Sequence, residues 1–215
     1  MKALITAGGR ATRLRPVTQT INKHLLPLAN KPLIFYAIEK IVAAGITEIG
    51  ININQGDTGM SVVVGDGSRW GAKITYIEQK GGALGLAHII KNAKEHGFLD
   101  GPFLMYLGDN IVLGSINDFV SRFKQEQLNC MLALSKVKDP QRFGVPEIAP
   151  DGSIIGVTEK PAEPKSDFAI TGIYLFDERA LEAVESIKPS ARGEMEITDV
   201  IAYYLDNSLK VGYEE

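Results

Sequence analysis

The segment Ala7-Gly8-Gly9-Arg10-Ala11-Thr12-Arg13-Leu14-Arg15-Pro16, entered straight from the apolar run Met1–Thr6, interleaves small residues, bare backbone and three arginines. Backbone N–H groups and fixed guanidinium charge at the end of a strand are what a polyphosphate needs, so the segment reads as a nucleoside triphosphate loop. The same residues would also suit a tight turn followed by a solvated basic face. Their interleaving directly after a strand favours phosphate. The pattern is neither G-x-G-x-x-G nor G-x-x-x-x-G-K-[ST], which disfavours a nicotinamide-dependent oxidoreductase and a Walker-type site.

Other polar groups also stand at the ends of apolar runs. Asp109 follows Phe103–Leu107 and Gly108, where a hard carboxylate can hold magnesium between phosphate oxygens; an N-cap or Asx turn before Asn110 is the plainer reading. Gln79 ends the run Lys73–Glu78 with an amide that both donates and accepts, as the edge of thymine or uracil requires. Gly85 would let the ring lie against backbone, although a polar strand end and a turn at Gly81-Gly82 explain the same residues. Glu159-Lys160 follows Ser153–Thr158 and precedes Pro161. Lys160 can neutralise a sugar phosphate and Glu159 can accept from sugar hydroxyls, with a surface ion pair as the alternative. Gly144 and Gly172 give a sugar close approach or mark strand bulges, and Tyr174 can flank its ring. His24, His88 and His96 do not cluster, no zinc spacing occurs, and Cys130 reads as a buried structural thiol.

These groups need a scaffold that gathers strand ends. Apolar runs at Ala3–Thr6, Glu48–Asn52, Lys73–Glu78 and Phe103–Leu107 alternate with helical patterns at Leu33–Ala44, about Asp57–Val64 and Leu86–Glu95. That alternation predicts an α/β, Rossmann-like, mixed but mainly parallel sheet flanked by helices. A helix at about Ile116–Gln127 and a strand at Cys130–Lys136 follow. Beyond Phe143 come a smaller β-rich subregion (Val145–Ile148, Ser153–Thr158, Ala169–Phe176) and helices at about Glu178–Ser186 and Ile197–Leu205. The expected organisation is one domain over 1–215, with a nucleotide-binding half to about 135 and a sugar-phosphate half from about 136. At 215 residues, 45% hydrophobic and net charge −3, the chain can bury a sizeable core but has no global basic field. Nucleic acid and membrane are therefore not expected as partners, a cytoplasmic location is, and the oligomeric state stays open, homo-oligomer included.

Taken in order, the motifs resemble those of the sugar-1-phosphate nucleotidylyltransferases, and among them the thymidylyl-transferring members. The residues that carry the likeness are Ala7-Gly8-Gly9-x-x-Thr12-Arg13-Leu14-x-Pro16, Asn22-Lys23-x-Leu25-Leu26-Pro27, Gly65-Asp66-Gly67-Ser68, Leu107-Gly108-Asp109-Asn110, Arg142-Phe143-Gly144-Val145, Glu159-Lys160-Pro161, Thr171-Gly172-Ile173-Tyr174 and Gly193-Glu194-x-Glu196-Ile197-Thr198-Asp199. The resemblance spans essentially the whole chain. It implies magnesium-dependent transfer of a nucleotidyl group, from dTTP to glucose 1-phosphate, with release of pyrophosphate. A UTP-dependent uridylyltransferase and a nucleotide-sugar-binding module without turnover are the alternatives. By the same resemblance Ala7, Gly8, Gly9, Thr12, Gln79 and Gly85 bind nucleotide, Arg13 and Lys23 clamp its phosphates, and Asp109 holds Mg2+. Asn110, Gly144, Glu159, Lys160, Gly172 and Tyr174 take the sugar phosphate.

The chain departs from the family pattern in three ways: Thr6 and Ala11 replace the usual Leu and Gly, and the spacing from Gln79 to Gly85 is longer. It also ends at Glu215 without the Trp-x-Asp-x-Gly motif that carries the family's second metal carboxylate, so truncation is expected unless Glu196, Asp199 or water substitutes. This polypeptide is accordingly expected to release pyrophosphate slowly or not at all, and a longer version to release it faster; equal rates in a coupled pyrophosphate assay would refute that.

Overall fold

The computed structural model describes residues 1–9, 14–18 and 21–215, and residue 19 by its backbone. Thr12 and Arg13, two of the expected nucleotide-loop residues, lie outside the described residues. The first strand, β1 (Lys2–Thr6), is the hub of a sheet completed by β4 (Glu48–Asn54), β5 (Lys73–Gln79), β6 (Phe103–Leu107), β7 (Cys130–Lys136), β10 (Phe168–Phe176) and β11 (Val211–Glu214). Two small antiparallel pairs lie outside it: β2 (Pro27–Leu28) with β3 (Lys31–Pro32), and β8 (Gly144–Ile148) with β9 (Ile154–Glu159). The sheet runs β11-β7-β10-β6-β1-β4-β5. Strand β10 is antiparallel to both neighbours and the remaining pairs are parallel, which is the mixed, mainly parallel sheet expected from sequence.

Both sheet faces are covered, and the two-residue period of the strands decides which side chain goes where. Leu4, Phe103 and Met105 pack beneath α3 (Leu86–Glu95), α5 (Ala180–Ser186) and α6 (Ile197–Asp206). Their neighbours Ala3, Ile5, Leu104 and Tyr106 face α1 (Leu33–Ala43), α2 (Gly59–Val64) and α4 (Asn117–Gln125). Chain order then creates the opening. From β1 the chain moves outward to β4 and β5 and returns to β6 on β1's other side, so a crevice forms beyond the carboxyl ends of β1 and β6.

Most predicted elements appear within two residues of their expected bounds. Helix α4 ends at Gln125, two residues early, and Gln127 turns at φ 52°. The helix expected from Asp57 begins at Gly59, because Asp57 turns its carboxylate back to accept the amide of Met60 at 3.3 Å. Three short strands went unseen in the sequence. The β2–β3 pair is only two residues per strand, carries a proline in each, and turns on Ala29 and Asn30, both at positive φ. Strand β11 is a four-residue, half-buried segment that only its pairing with β7 defines. Cys130 is buried in β7, as expected, and burial pushes its thiol pKa well up. Among the described residues no helix is long and apolar enough to cross a membrane.

Replacing Leu4, fully buried under α3, by alanine should cost about 2–5 kcal/mol through lost transfer energy and an unfilled cavity. Urea unfolding of the variant checks it.

Candidate active site

Parallel pairing of β1 with β6 brings Thr6 opposite Leu107, and the Gly108 amide donates to the Thr6 carbonyl at 3.0 Å. Asp109 therefore leaves β6 beside the loop that leaves β1. Across the crevice stands the short 3-10 turn Lys23–Leu25, capped by Asn22. The Lys23 ammonium meets an Asp109 carboxylate oxygen at 2.6 Å. Burial pushes the Asp109 carboxyl up, but the hydrogen bond and charge of Lys23 outweigh it and hold its pKa below the ordinary carboxylate value. Asp109 is thus an anion at neutral pH.

Asn22 fixes this arrangement. Its Nδ2 donates to the Ala7 carbonyl at 2.9 Å and to the Asp57 carboxylate at 2.8 Å, two groups that can only accept. Its Oδ1 is thereby turned to His24, accepting the backbone amide at 3.0 Å and facing ring Nδ1 at 2.8 Å. Nδ1 must carry the proton. The His24 ring is buried and its pKa is lowered to about 4 by desolvation and by Lys23, so it is neutral. The same ring closes the space where a side chain at Gly108 would go, with Cδ2 3.0 Å from an added Cβ. His24 thus sets the backbone that presents Asp109, a contact that counting histidines in the sequence does not reveal.

On the other flank Asn54, the last residue of β4, brackets Gly9: its Oδ1 accepts the Gly9 amide at 3.1 Å and its Nδ2 donates to the Gly9 carbonyl at 3.3 Å. Gly8, Gly9, Lys23, Gln79, Gly85 and Asp109 line one cavity of about 310 Å³. Ala7 is buried beneath it and contributes its carbonyl to Asn22 rather than a wall. At Gly85 the room a side chain would need is filled from behind: an added Cβ would lie 2.2 Å from the Met195 carbonyl oxygen, with φ at 95°. Backbone bonds from Met195 N to Leu84 O (2.8 Å) and from Ala87 N to Met195 O (3.1 Å) fasten this loop to the segment before α6.

The second cavity, about 450 Å³, is lined by all six residues expected on the sugar side: Asn110, Gly144, Glu159, Lys160, Gly172 and Tyr174. Gly172 sits in a β-bulge of β10, where the register with β7 shifts between Ile170 and Tyr174, and an added Cβ would press on Leu107 and Asn110. Asn110 Nδ2 donates to the carbonyl of Thr171 in the same bulge. Tyr174 is buried, with desolvation and Glu159 raising its pKa. Leu86, Leu107, Glu159, Lys160 and Ile197 border both cavities, so the two adjoin. A third cavity, about 630 Å³, lies on the far side of Asp109 and Asn110 against Glu214 and Glu215.

Arg192 is the group that sequence reasoning passed over. Its guanidinium reaches Glu159 at 3.2 Å and Glu196 at 2.8 Å, while Lys160 meets the same Glu159 oxygen at 3.1 Å. The alternation Ser190-x-Arg192-x-Glu194-x-Glu196 was the available signal. Asp199 has its pKa raised by burial and by the carboxylates of Glu196 and Glu159.

A family model described as nucleotidyl transferase matches residues 2–214, and the chain belongs to that family. The glucose-1-phosphate thymidylyltransferase of Streptomyces griseus is 49% identical over 209 residues, which cover 96% of this chain and 58% of that protein. The one from Streptomyces antibioticus is 48% identical over 215 residues, covering 98% and 59% respectively. The chain thus spans under two thirds of these relatives' length. A Bacillus anthracis protein, provisionally assigned as a glucose-1-phosphate thymidylyltransferase and crystallised with a sucrose, superposes with a TM-score of 0.91 at 38% identity, covering 100% of this chain and 86% of that one.

Gly85→Ala should cost about 1–3 kcal/mol, from positive-φ strain and collision with the Met195 backbone. Hydrogen exchange should accelerate at the Ala87 and Met195 amides ahead of those in β1.

Proposed function

We propose that this chain transfers a thymidylyl group from dTTP to glucose 1-phosphate and releases pyrophosphate. The observation that carries this reading is the Lys23–Asp109 pair at the β1–β6 crevice, in a cavity that adjoins the Glu159–Lys160 cavity. Two anionic substrates placed in the two cavities would meet at their shared border. A phosphate oxygen of the sugar 1-phosphate forms the new bond to the α-phosphorus as the bridge to the β-phosphorus breaks. Positioning and fixed positive charge then supply most of the acceleration.

In this reading Gly8 and Gly9 present backbone to the triphosphate, and Lys23 and Arg13 bear on its phosphates. Gln79 and Gly85 take the base. Lys160 holds the sugar phosphate, with Asn110, Gly144, Glu159, Gly172 and Tyr174 around the sugar. Among the described residues no three His, Cys, Asp or Glu side chains are grouped so that they could hold a metal ion. A divalent ion here would therefore have Asp109 as its protein carboxylate and take the rest of its shell from phosphate and water, a donor set that suits Mg2+. Such an ion supplies charge to the phosphate oxygens when bound. The names of the relatives favour dTTP; UTP is the second reading, because an amide such as Gln79 meets features that thymine and uracil share.

The test is a matrix of nucleoside triphosphates against sugar 1-phosphates, read by pyrophosphate and nucleotide-sugar, with dTTP and glucose 1-phosphate expected to be the fastest pair. Nucleotide binding without pyrophosphate release, in this chain and in a longer form, would instead support a binding module. Lys160→Ala should raise KM for the sugar phosphate with little change for dTTP, whereas Asp109→Asn should lower kcat by about 10²–10³-fold.

A further inference from the structure

Three buried or nearly buried amides form a chain beneath the nucleotide cavity. Asn92 of α3 donates through Nδ2 to the Glu78 carbonyl and to Asn52 Oδ1, both at 3.1 Å. Asn52 of β4 donates through Nδ2 to Gln79 Oε1 at 3.0 Å, and Gln79 donates through Nε2 to the Gly82 carbonyl at 2.6 Å. Each end of the chain is a main-chain carbonyl, which only accepts. Glu78 therefore fixes which end of Asn92 is nitrogen, and this fixes Asn52 and then Gln79. Working back from Gly82 gives the same answer. Reversing any one amide would set oxygen against oxygen.

We infer that Asn52 and Asn92 are positioning residues that lock the Gln79 carboxamide with its N–H end toward the base loop, so that the site selects pyrimidines bearing a carbonyl, not an amine, at the 4-position. The inference rests on the proposed role of Gln79 in taking the base. Thymine and uracil offer an O4 acceptor there; cytosine offers the N4 amine, a donor facing a donor. With Oε1 held by Asn52, which is wholly buried, Gln79 cannot turn to offer cytosine an acceptor without breaking the relay. Asn52 and Asn92 touch no substrate in this arrangement and act through Gln79.

The test is calorimetric titration of dTTP, UTP and CTP with Mg2+ into the wild-type chain, Asn52→Leu and Asn92→Leu, with thermal unfolding alongside. Wild type should bind dTTP and UTP about ten- to a hundredfold more tightly than CTP. In both variants that ratio should shrink to within about threefold. Residues that merely fill the interior would weaken all three nucleotides alike, so an unchanged ratio overturns the inference and leaves the proposed function standing. Equal wild-type affinity for CTP and dTTP overturns it as well. Absence of binding to every nucleotide overturns the parent reading with it. Should the leucine variants not fold, Gln79→Glu supplies the check: a carboxylate at the cavity end should move the ratio toward CTP, and no movement refutes the lock.

Discussion

The Lys23–Asp109 ion pair spans the crevice that the strand order leaves beyond the ends of β1 and β6. Opposite charges at such a mouth are screened less than on an open surface, because the strands and α3 wall off solvent on one side. Their placement also follows from what lies beneath. Asn22 ties the turn that carries Lys23 to the end of β1, and the neutral His24 ring packs on Gly108 just before Asp109. One cation and one anion are thereby presented on separate segments whose spacing is set by uncharged contacts. Anionic ligands with a divalent ion can compete for both partners, which makes the pair suited to exchange rather than to permanent stapling.

The Glu159–Lys160 cavity is arranged differently. Glu159 is flanked by Lys160 and Arg192, and Arg192 is shared with Glu196, so on this wall Glu159 and Glu196 each already have a cation. Such a wall is close to neutral locally and can hold hydroxyl groups without a large desolvation cost. The crevice carries the Lys23–Asp109 pair, which anionic ligands and a divalent ion can open, and this fits the proposal that charge-dense phosphates lie toward the crevice and the sugar toward the bulge at Gly172.

Legibility in the sequence tracked how local each signal was. Leu4 and its two neighbours, Phe103–Leu107 and the Leu86–Glu95 helix could be read directly, because short apolar runs and helical periodicity are properties of adjacent residues. The places of Asp109 and Gln79 at strand ends could be read because an open α/β sheet makes such positions informative, whereas Glu159 and Lys160, at the end of the separate β8–β9 pair, were legible only through Pro161 and the order of the motifs. What could not be read depends on residues far apart in the chain. Arg192 matters because Glu159 is near it, Asn52 because Gln79 and Asn92 are, and His24 because Gly108 has no side chain. Gly85 was read as room for a ring, whereas the structure also gives that room to the Met195 backbone, a contact across more than a hundred residues. Strand β11 is defined only by its register against β7.

The seam between Met195 and the Leu84–Ala87 loop has an evolutionary corollary. Because main-chain bonds join the two segments, a substitution that reshapes the Arg192–Glu196 stretch drags on the Leu84–Ala87 loop across the seam. Under the proposed function, a new pairing of donor and acceptor therefore requires concerted change on both sides of the seam, or side-chain exchanges that leave its backbone untouched.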